Sequence, residues 1–224
     1  LSLSKEAAYV HYCPNETIQG NAIHKIPNID KPLIADMSSV ILSEPIDVTK
    51  FSLIYAGAQK NIGPAGLTLV IIEKEFMQKD NSDLPNLLRY SQHARAESML
   101  NTPPTFAWYV AVIVFKWIKR SGGLHFFQEQ NHLKAESLYS FIDKSSFYSN
   151  SVSIKNRSIM NVVFSLADNN LNSKFLNESK KNGLLSLKGH RSVGGMRASI
   201  YNAMPLEGVN QLIKFMEDFE KKYG

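Results

Sequence analysis

Three short apolar runs, Leu33-Ile34-Ala35, Leu53-Ile54-Tyr55-Ala56 and Leu67-Thr68-Leu69-Val70-Ile71-Ile72, follow one another in a single stretch of this chain. Each is too short for a helix and is separated from its neighbours by breakers, Pro27, Asn28, Asp30 and Pro32 before the first and Gly63-Pro64-Ala65-Gly66 before the third. The first two end in polar residues, at Asp36 and at Gly57-Ala58-Gln59-Lys60, as buried parallel strands do. A further β-prone run, Ala7 to Tyr12, meets the polar loop Cys13-Pro14-Asn15-Glu16-Thr17. Runs apolar on both faces need cover on both faces, so this pattern predicts an open α/β sheet of mostly parallel strands flanked by helices.

Asn101-Thr102-Pro103-Pro104 then opens a long helix, with Asn or Thr able to cap it and proline placed in its first turn. Its uninterrupted apolar run, Phe106 to Phe115, has ten residues, well short of the ~18 of a membrane span, and reads as a buried helix that Gly122-Gly123 stops. Beyond it the character changes, and a domain boundary is expected there, with 1–120 in one domain and 121–224 in a second, small α/β domain. In the second, a helix runs to about Ile142, and Met160, Val162, Phe164 and Leu166 alternate as a half-buried strand. A helix at 171–181, strands at 184–187 and 196–201, and a last helix starting at Pro205 complete it.

At 224 residues and 44% hydrophobic content the chain can bury a core without staples, since a chain of this size hides roughly 70% of its unfolded surface. The single cysteine, Cys13, excludes an internal disulfide and fits a reducing compartment, the cytoplasm. Net charge is +5, and no stacking-aromatic or helix-turn-helix pattern accompanies the excess, so neither a nucleic-acid nor a membrane partner is expected. His11, His24, His93, His125 and His132 lack metal-ligand spacing, so no metal site is expected.

Ligands of open α/β sheets collect at the carboxyl ends of the strands, which makes Thr17, Asp36 and Lys60 candidates for one crevice. Small neighbours around Lys60 let a bulky group approach its amine and lower its basicity by desolvation, as attack on a carbonyl requires; the same residue also fits a solvent-facing lysine. Asp36 at a partly buried strand end calls for a cation, such as a protonated pyridine nitrogen, or else caps the following turn. Asn101 and Thr102 suit a helix cap or a phosphate. His190, Arg191 and Arg197 lie in or just after a glycine-bounded loop, where two arginines suit an anionic substrate or a plain surface.

Tyr55-Ala56-Gly57-Ala58-Gln59-Lys60-Asn61-Ile62-Gly63-Pro64-Ala65-Gly66 resembles the lysine motif of the phosphoserine aminotransferase family, fold-type-I pyridoxal phosphate enzymes. His11 to Thr17, Ala35 to Ser39, Asn101 to Phe106, and Gly189-His190-Arg191 through Ala203-Met204-Pro205 resemble that family's other blocks in the family's order. The resemblance implies the latter part of the large cofactor-binding domain followed by the small carboxyl-terminal α/β domain. It implies Lys60 as the catalytic lysine that binds pyridoxal 5'-phosphate covalently and moves the proton at the substrate α-carbon. Asp36 then pairs with the ring nitrogen, Thr17 with the phenolic oxygen, and Gln59 with the phosphate. Asn101 and Thr102 reach the phosphate of the neighbouring subunit's cofactor, which implies a homodimer with shared sites. Arg197 takes the α-carboxylate, and His190 with Arg191 the phosphate or distal carboxylate.

The implied reaction moves an amino group between glutamate and 3-phosphohydroxypyruvate in serine biosynthesis, with a four-carbon phosphorylated keto acid of vitamin B6 synthesis as a second substrate. The family is longer at its amino end, and the phosphate cup and ring-stacking aromatic of that part have no counterpart here. A chain limited to these residues is expected to hold cofactor weakly and show little activity. Another fold-type-I enzyme, an alanine-glyoxylate aminotransferase or a cysteine desulfurase, is the alternative enzyme, and an inactive scaffold fragment the alternative without chemistry.

Overall fold

The computed structural model describes residues 3–224. In chain order its strands and helices are β1 (Val10–Tyr12), β2 (Asn15–Glu16), β3 (Asn21–Ala22), β4 (Leu33–Asp36), β5 (Leu53–Gly57), β6 (Thr68–Ile72), α1 (Lys74–Met77), α2 (Tyr90–Arg95) and α3 (Thr105–Arg120). They continue with α4 (Gly123–Lys144), β7 (Tyr148–Ser149), β8 (Asn161–Leu166), α5 (Asn172–Lys181), β9 (Met196–Ser199) and α6 (Leu206–Tyr223). The chain forms two compact units, one of the residues up to Pro14 with Lys25–Ser121, the other of Asn15–His24 with Gly122–Gly224. No helix among the described residues is long and apolar enough to cross a membrane.

The first unit is built on a sheet ordered β1-β4-β5-β6, in which β1, β4 and β5 run parallel and β6 antiparallel to β5. Ten residues separate Gly57 from Thr68, fewer than a parallel crossover needs, so β6 has to turn back beside β5. Leu33, Ala35, Ile54 and Ala56 are buried with Ile41, Ala58 and Ile62, which is why β4 and β5 read as continuous apolar runs. Two expectations fail in this unit. The 67–72 run is half-buried rather than buried, because β6 is the last strand of the sheet. Helix α3, expected to be buried, turns only Ala107, Ala111 and Ile118 inward and leaves Phe106 72% and Tyr109 66% exposed. Its N-cap is Pro104 without a side-chain cap, so neither Asn101 nor Thr102 closes the helix and no proline lies in its first turn.

The second unit is a three-stranded antiparallel sheet, β7-β8-β9, covered by α4, α5 and α6. Val209, Leu212, Met216 and Phe219 recur along one face of α6, the spacing that buries a single helical stripe. Phe175 and Phe219 meet edge to face at 5.1 Å, and the buried Tyr148 donates its hydroxyl to the Met216 carbonyl at 3.0 Å. Burial pushes the Tyr148 phenol well above its ordinary range. Lys134 on α4 is 1% exposed and donates to the carbonyls of Ile200, Tyr201 and Met204 at 2.9–3.0 Å, and burial pulls its amine down to about 8. The turn after β9 is thereby tied to α4.

Two features of this unit depart from the sequence pattern. Residues 184–187 form no strand; only Leu187 contributes, accepting a backbone hydrogen bond from Arg197 at 2.8 Å. Strand β8 is buried on both faces instead of one, save Ser165. Val162, Phe164 and Leu166 face the core, while the hairpin β2–β3 lies over the other face, the Ser158 amide donating to the Gly20 carbonyl at 2.9 Å. A segment early in the chain therefore supplies the second cover of a strand more than a hundred residues later.

Candidate active site

Asp36 is the last residue of β4, and Lys60 stands three residues beyond β5, its parallel neighbour, so both lie at the carboxyl edge of the first sheet. That is where a parallel sheet offers a ligand crevice. Ser38 joins the two strand ends: its amide and hydroxyl donate to Asp36 Oδ1 at 2.9 and 2.5 Å, and its Oγ accepts from the Gly57 amide at 3.0 Å. Among the described residues no lysine or arginine is paired with Asp36. The Tyr55 phenol beside it is pushed up, first by burial and then by the Asp36 charge, and it bonds His11 Nε2 at 3.0 Å.

The turn that carries Lys60 is held from below. Ala58, Asn61 and Ile62 are buried, and Asn61 donates its side-chain amide to the Ile41 carbonyl at 2.9 Å. Gly63 and Ile62 amides close back on the Ala58 carbonyl at 2.7 and 3.2 Å. With those residues as anchors, Gln59 is exposed and Lys60 only half-buried. A Cβ at Gly57 would stand 2.5 Å from Gln59 Oε1, so the glycine lets the Gln59 side chain lie where it does. Asn101 and Thr102 are exposed and border a cavity of about 540 Å³ walled by Leu69, Trp108, Val112 and Phe115.

Thr17, His190, Arg191 and Arg197 belong to the second unit. Arg197 on β9 points away from the core side taken by Met196 and Ala198; its Nη1 reaches only the Thr17 carbonyl, at 3.5 Å, and its Nε is buried without a partner among the described residues. A half-buried guanidinium so weakly engaged suits an anion. His190 and Arg191 ride a closed loop in which the Val193 and Gly194 amides donate to the His190 carbonyl at 3.0 and 2.8 Å. His190 Nδ1 is held by Ser192, at 2.7 Å from its Oγ, and Arg191 is exposed. Gly189 permits the closure, because a Cβ there would fall 2.0 Å from the Gly194 carbonyl oxygen.

The structure thus gathers Asp36 and Lys60 at one sheet edge with Gln59, and sets Thr17 beside Arg197 in the other unit. Sequence reasoning missed Ser38, Tyr55 and His11 as members of the Asp36 surroundings. Ser38 had a local signal, an Asp two residues before a Ser, the spacing of a side-chain turn. The Tyr55–His11 bond is long-range and had none. No metal-ligand cluster of three or more occurs among the described residues.

An α/β unit presenting a carboxylate and a lysine at the carboxyl edge of its parallel strands defines a ligand-binding protein of the open-sheet class. The aminotransferase class-V family model matches residues 2–212, and the chain belongs to that family. It is 55% identical over 222 residues to a phosphoserine aminotransferase of Idiomarina loihiensis, across 99% of this chain and 62% of the relative. The phosphoserine aminotransferase structure from Bacillus circulans subsp. alkalophilus superposes with a TM-score of 0.97 at 46% identity, over 100% of this chain and 63% of that one. A pyridoxal-phosphate-bound phosphoserine aminotransferase from Trichomonas vaginalis gives a TM-score of 0.92 at 42% identity, over 96% and 62%. The chain therefore spans about 62% of the length of the relatives it matches, and their likeness places it in the fold-type-I architecture.

Proposed function

We propose that these residues serve a phosphoserine aminotransferase that moves an amino group between glutamate and 3-phosphohydroxypyruvate with pyridoxal phosphate. The 55% identity sustained over 222 residues carries this reading. Asp36 fits the cofactor, being a carboxylate braced by Ser38 and with no paired lysine or arginine among the described residues, as a protonated ring nitrogen requires. When bound, the cofactor supplies an electron sink for charge developing at the substrate α-carbon.

The chain's own residues then have separate tasks. Lys60 holds the cofactor and moves the proton at the α-carbon, acting as base and then acid. Asp36 keeps the ring nitrogen protonated, Thr17 bonds the phenolic oxygen, and Gln59, Asn101 and Thr102 take phosphate. Arg197 grips the α-carboxylate, and its weakly engaged guanidinium is the observation behind that role. His190 and Arg191 orient the phosphate or distal carboxylate from their closed loop. We place Asn101 and Thr102 at a partner subunit's cofactor in a cytoplasmic homodimer, with residues 1–120, less the 15–24 hairpin that packs in the second unit, as the large-domain part and 121–224 as the small domain. The four-carbon phosphorylated keto acid of vitamin B6 synthesis is a second substrate in this reading.

A chimera tests it: residues 3–224 replace the matched part of the Idiomarina loihiensis relative. Turnover of O-phosphoserine and 2-oxoglutarate within tenfold of the parent, dimeric by sedimentation and abolished by Lys60→Ala, is the expected result. A folded chimera that loads cofactor but prefers alanine to O-phosphoserine contradicts the substrate assignment.

A further inference from the structure

Asn161, the first residue of β8, is fully buried, and every polar atom of its side chain is engaged. Its Oδ1 accepts from Asn15 Nδ2 at 2.9 Å, and its Nδ2 donates to Ser199 Oγ at 3.2 Å and to the Tyr201 hydroxyl at 3.0 Å. Asn15 is 4% exposed and Ser158 is fully buried, so all three polar groups sit where water cannot replace a lost partner.

The order of donors in this network is forced. Ser158 Oγ already accepts the Met160 and Asn161 amides at 3.0 and 2.9 Å, so its hydrogen goes to Asn15 Oδ1. With its oxygen accepting, Asn15 presents its NH2 to Asn161 Oδ1, which turns the Asn161 NH2 toward Ser199 and Tyr201. The relay therefore runs one way, from the turn before β8, through the hairpin β2–β3, into β8, and on to β9. An apolar filler would cover β8 equally well but fix no register; directed amides do. Gly20 seals the same contact from the backbone: its φ is +70°, its carbonyl accepts from the Ser158 amide, and a Cβ would lie 2.8 Å from the Asn161 carbonyl oxygen.

What the relay joins is pointed. Thr17 is two residues after Asn15 on the hairpin, and Arg197 is two residues before Ser199, on the same face of β9. Arg197 Nη1 meets the Thr17 carbonyl at 3.5 Å, a long contact too weak by itself to set their spacing. We propose that Asn161, with Asn15 and Ser158, is a positioning clasp that makes the Thr17 hairpin and the Arg197 strand one rigid body, so that the cofactor-facing and carboxylate-facing groups keep a fixed spacing. The ligand roles of Thr17 and Arg197 rest on the reading above; the clasp itself rests on the hydrogen bonds.

Hydrogen exchange on the full chain, followed by mass spectrometry, tests the clasp. Asn161→Ala is expected to accelerate exchange in residues 15–24 at least tenfold while residues 162–166 and 196–199 change less than twofold. Ser158→Ala, which removes the origin of the relay together with the acceptor of the Met160 and Asn161 amides, is expected to act on the same residues with a smaller factor, and decides the matter should Asn161→Ala not fold. Unchanged exchange at 15–24, or equal acceleration throughout the second unit, overturns the proposal. Glutamate affinity supplies the readout a purely structural residue would not move. Asn161→Ala is expected to weaken it about tenfold when Arg197 is present and to add nothing in an Arg197→Ala background. Additive losses in the double variant overturn the positioning role. If Arg197→Ala leaves glutamate binding unchanged, the site reading falls while the exchange result still judges the clasp.

Discussion

The two units bury apolar surface in different ways. Twenty buried apolar residues form the core of the second unit among the described residues, with Phe147, Tyr148, Phe164, Phe175 and Phe219 interlocked edge to face, against ten in the first, half of them alanine or methionine. The second unit closes its sheet on both faces, with α4, α5 and α6 on one and the β2–β3 hairpin on the other. The first leaves Phe106, Tyr109, Leu87, Leu88 and Met99 between 59% and 72% exposed. These large apolar side chains are left uncovered by the first unit itself. The difference teaches that stability in this chain is concentrated in the second unit, while the Lys60–Asp36 edge lies on the less self-sufficient one.

Breaking the second core should be the largest effect. Phe175→Ala removes a fully buried ring that touches four other aromatics and should cost about 3–5 kcal/mol, read by chemical denaturation. Lys134→Met keeps the length of the side chain but leaves three carbonyls without their donor. It should cost about 2–3 kcal/mol by the same measurement. A loss equal to that of Phe175→Ala would mean that the tie to α4 matters as much as the aromatic core.

The pH dependence of the second unit sharpens the comparison at smaller scale. Arg157 clasps Asp143 through two hydrogen bonds of 2.7 Å and holds its carboxyl below the ordinary value of 3.8. A depressed carboxyl contributes stability that is present above pH 3.8 and is lost as pH falls through the folded value. Because Asp143 is 44% exposed, solvent screening keeps the contribution below about 1 kcal/mol. Asp143→Asn should flatten that part of an acid titration of thermal stability. Smallest of all, Phe106→Ser on the exposed face of α3 should shift unfolding free energy by less than about 0.5 kcal/mol while reducing self-association in sedimentation. A large destabilisation by Phe106→Ser would show the first unit to be as closed as the second.

How much of this was readable depends on whether the signal is local. The runs at 33–36 and 53–57 announce parallel strands through their own composition, and the residues ending them place Asp36 and Lys60 at the sheet edge. The amphipathic spacing of α6 likewise lies in the sequence. Strand β8 alternates in the sequence but is buried on both faces, since its second cover is a hairpin from Asn15–His24 that carries no local mark of its destination. The 184–187 run fails as a strand because only Leu187 finds a partner in β9. Helix α3 misleads for another reason: it is apolar nearly all round, yet its own unit buries only Ala107, Ala111 and Ile118. At the site, the residue types in the motifs were legible, whereas the Ser38 bridge comes from neighbouring strands and the Tyr55–His11 contact reaches across β4 between β5 and β1.

The most direct test of the account is chemical. Pyridoxal phosphate is added to the purified chain, the product is reduced with borohydride, and the modified peptides are mapped. A single reduced-cofactor mass on Lys60, diminished by Asp36→Asn, is the predicted result. Modification spread over surface lysines with no preference for Lys60 would contradict the assignment of the Lys60–Asp36 edge as the cofactor site.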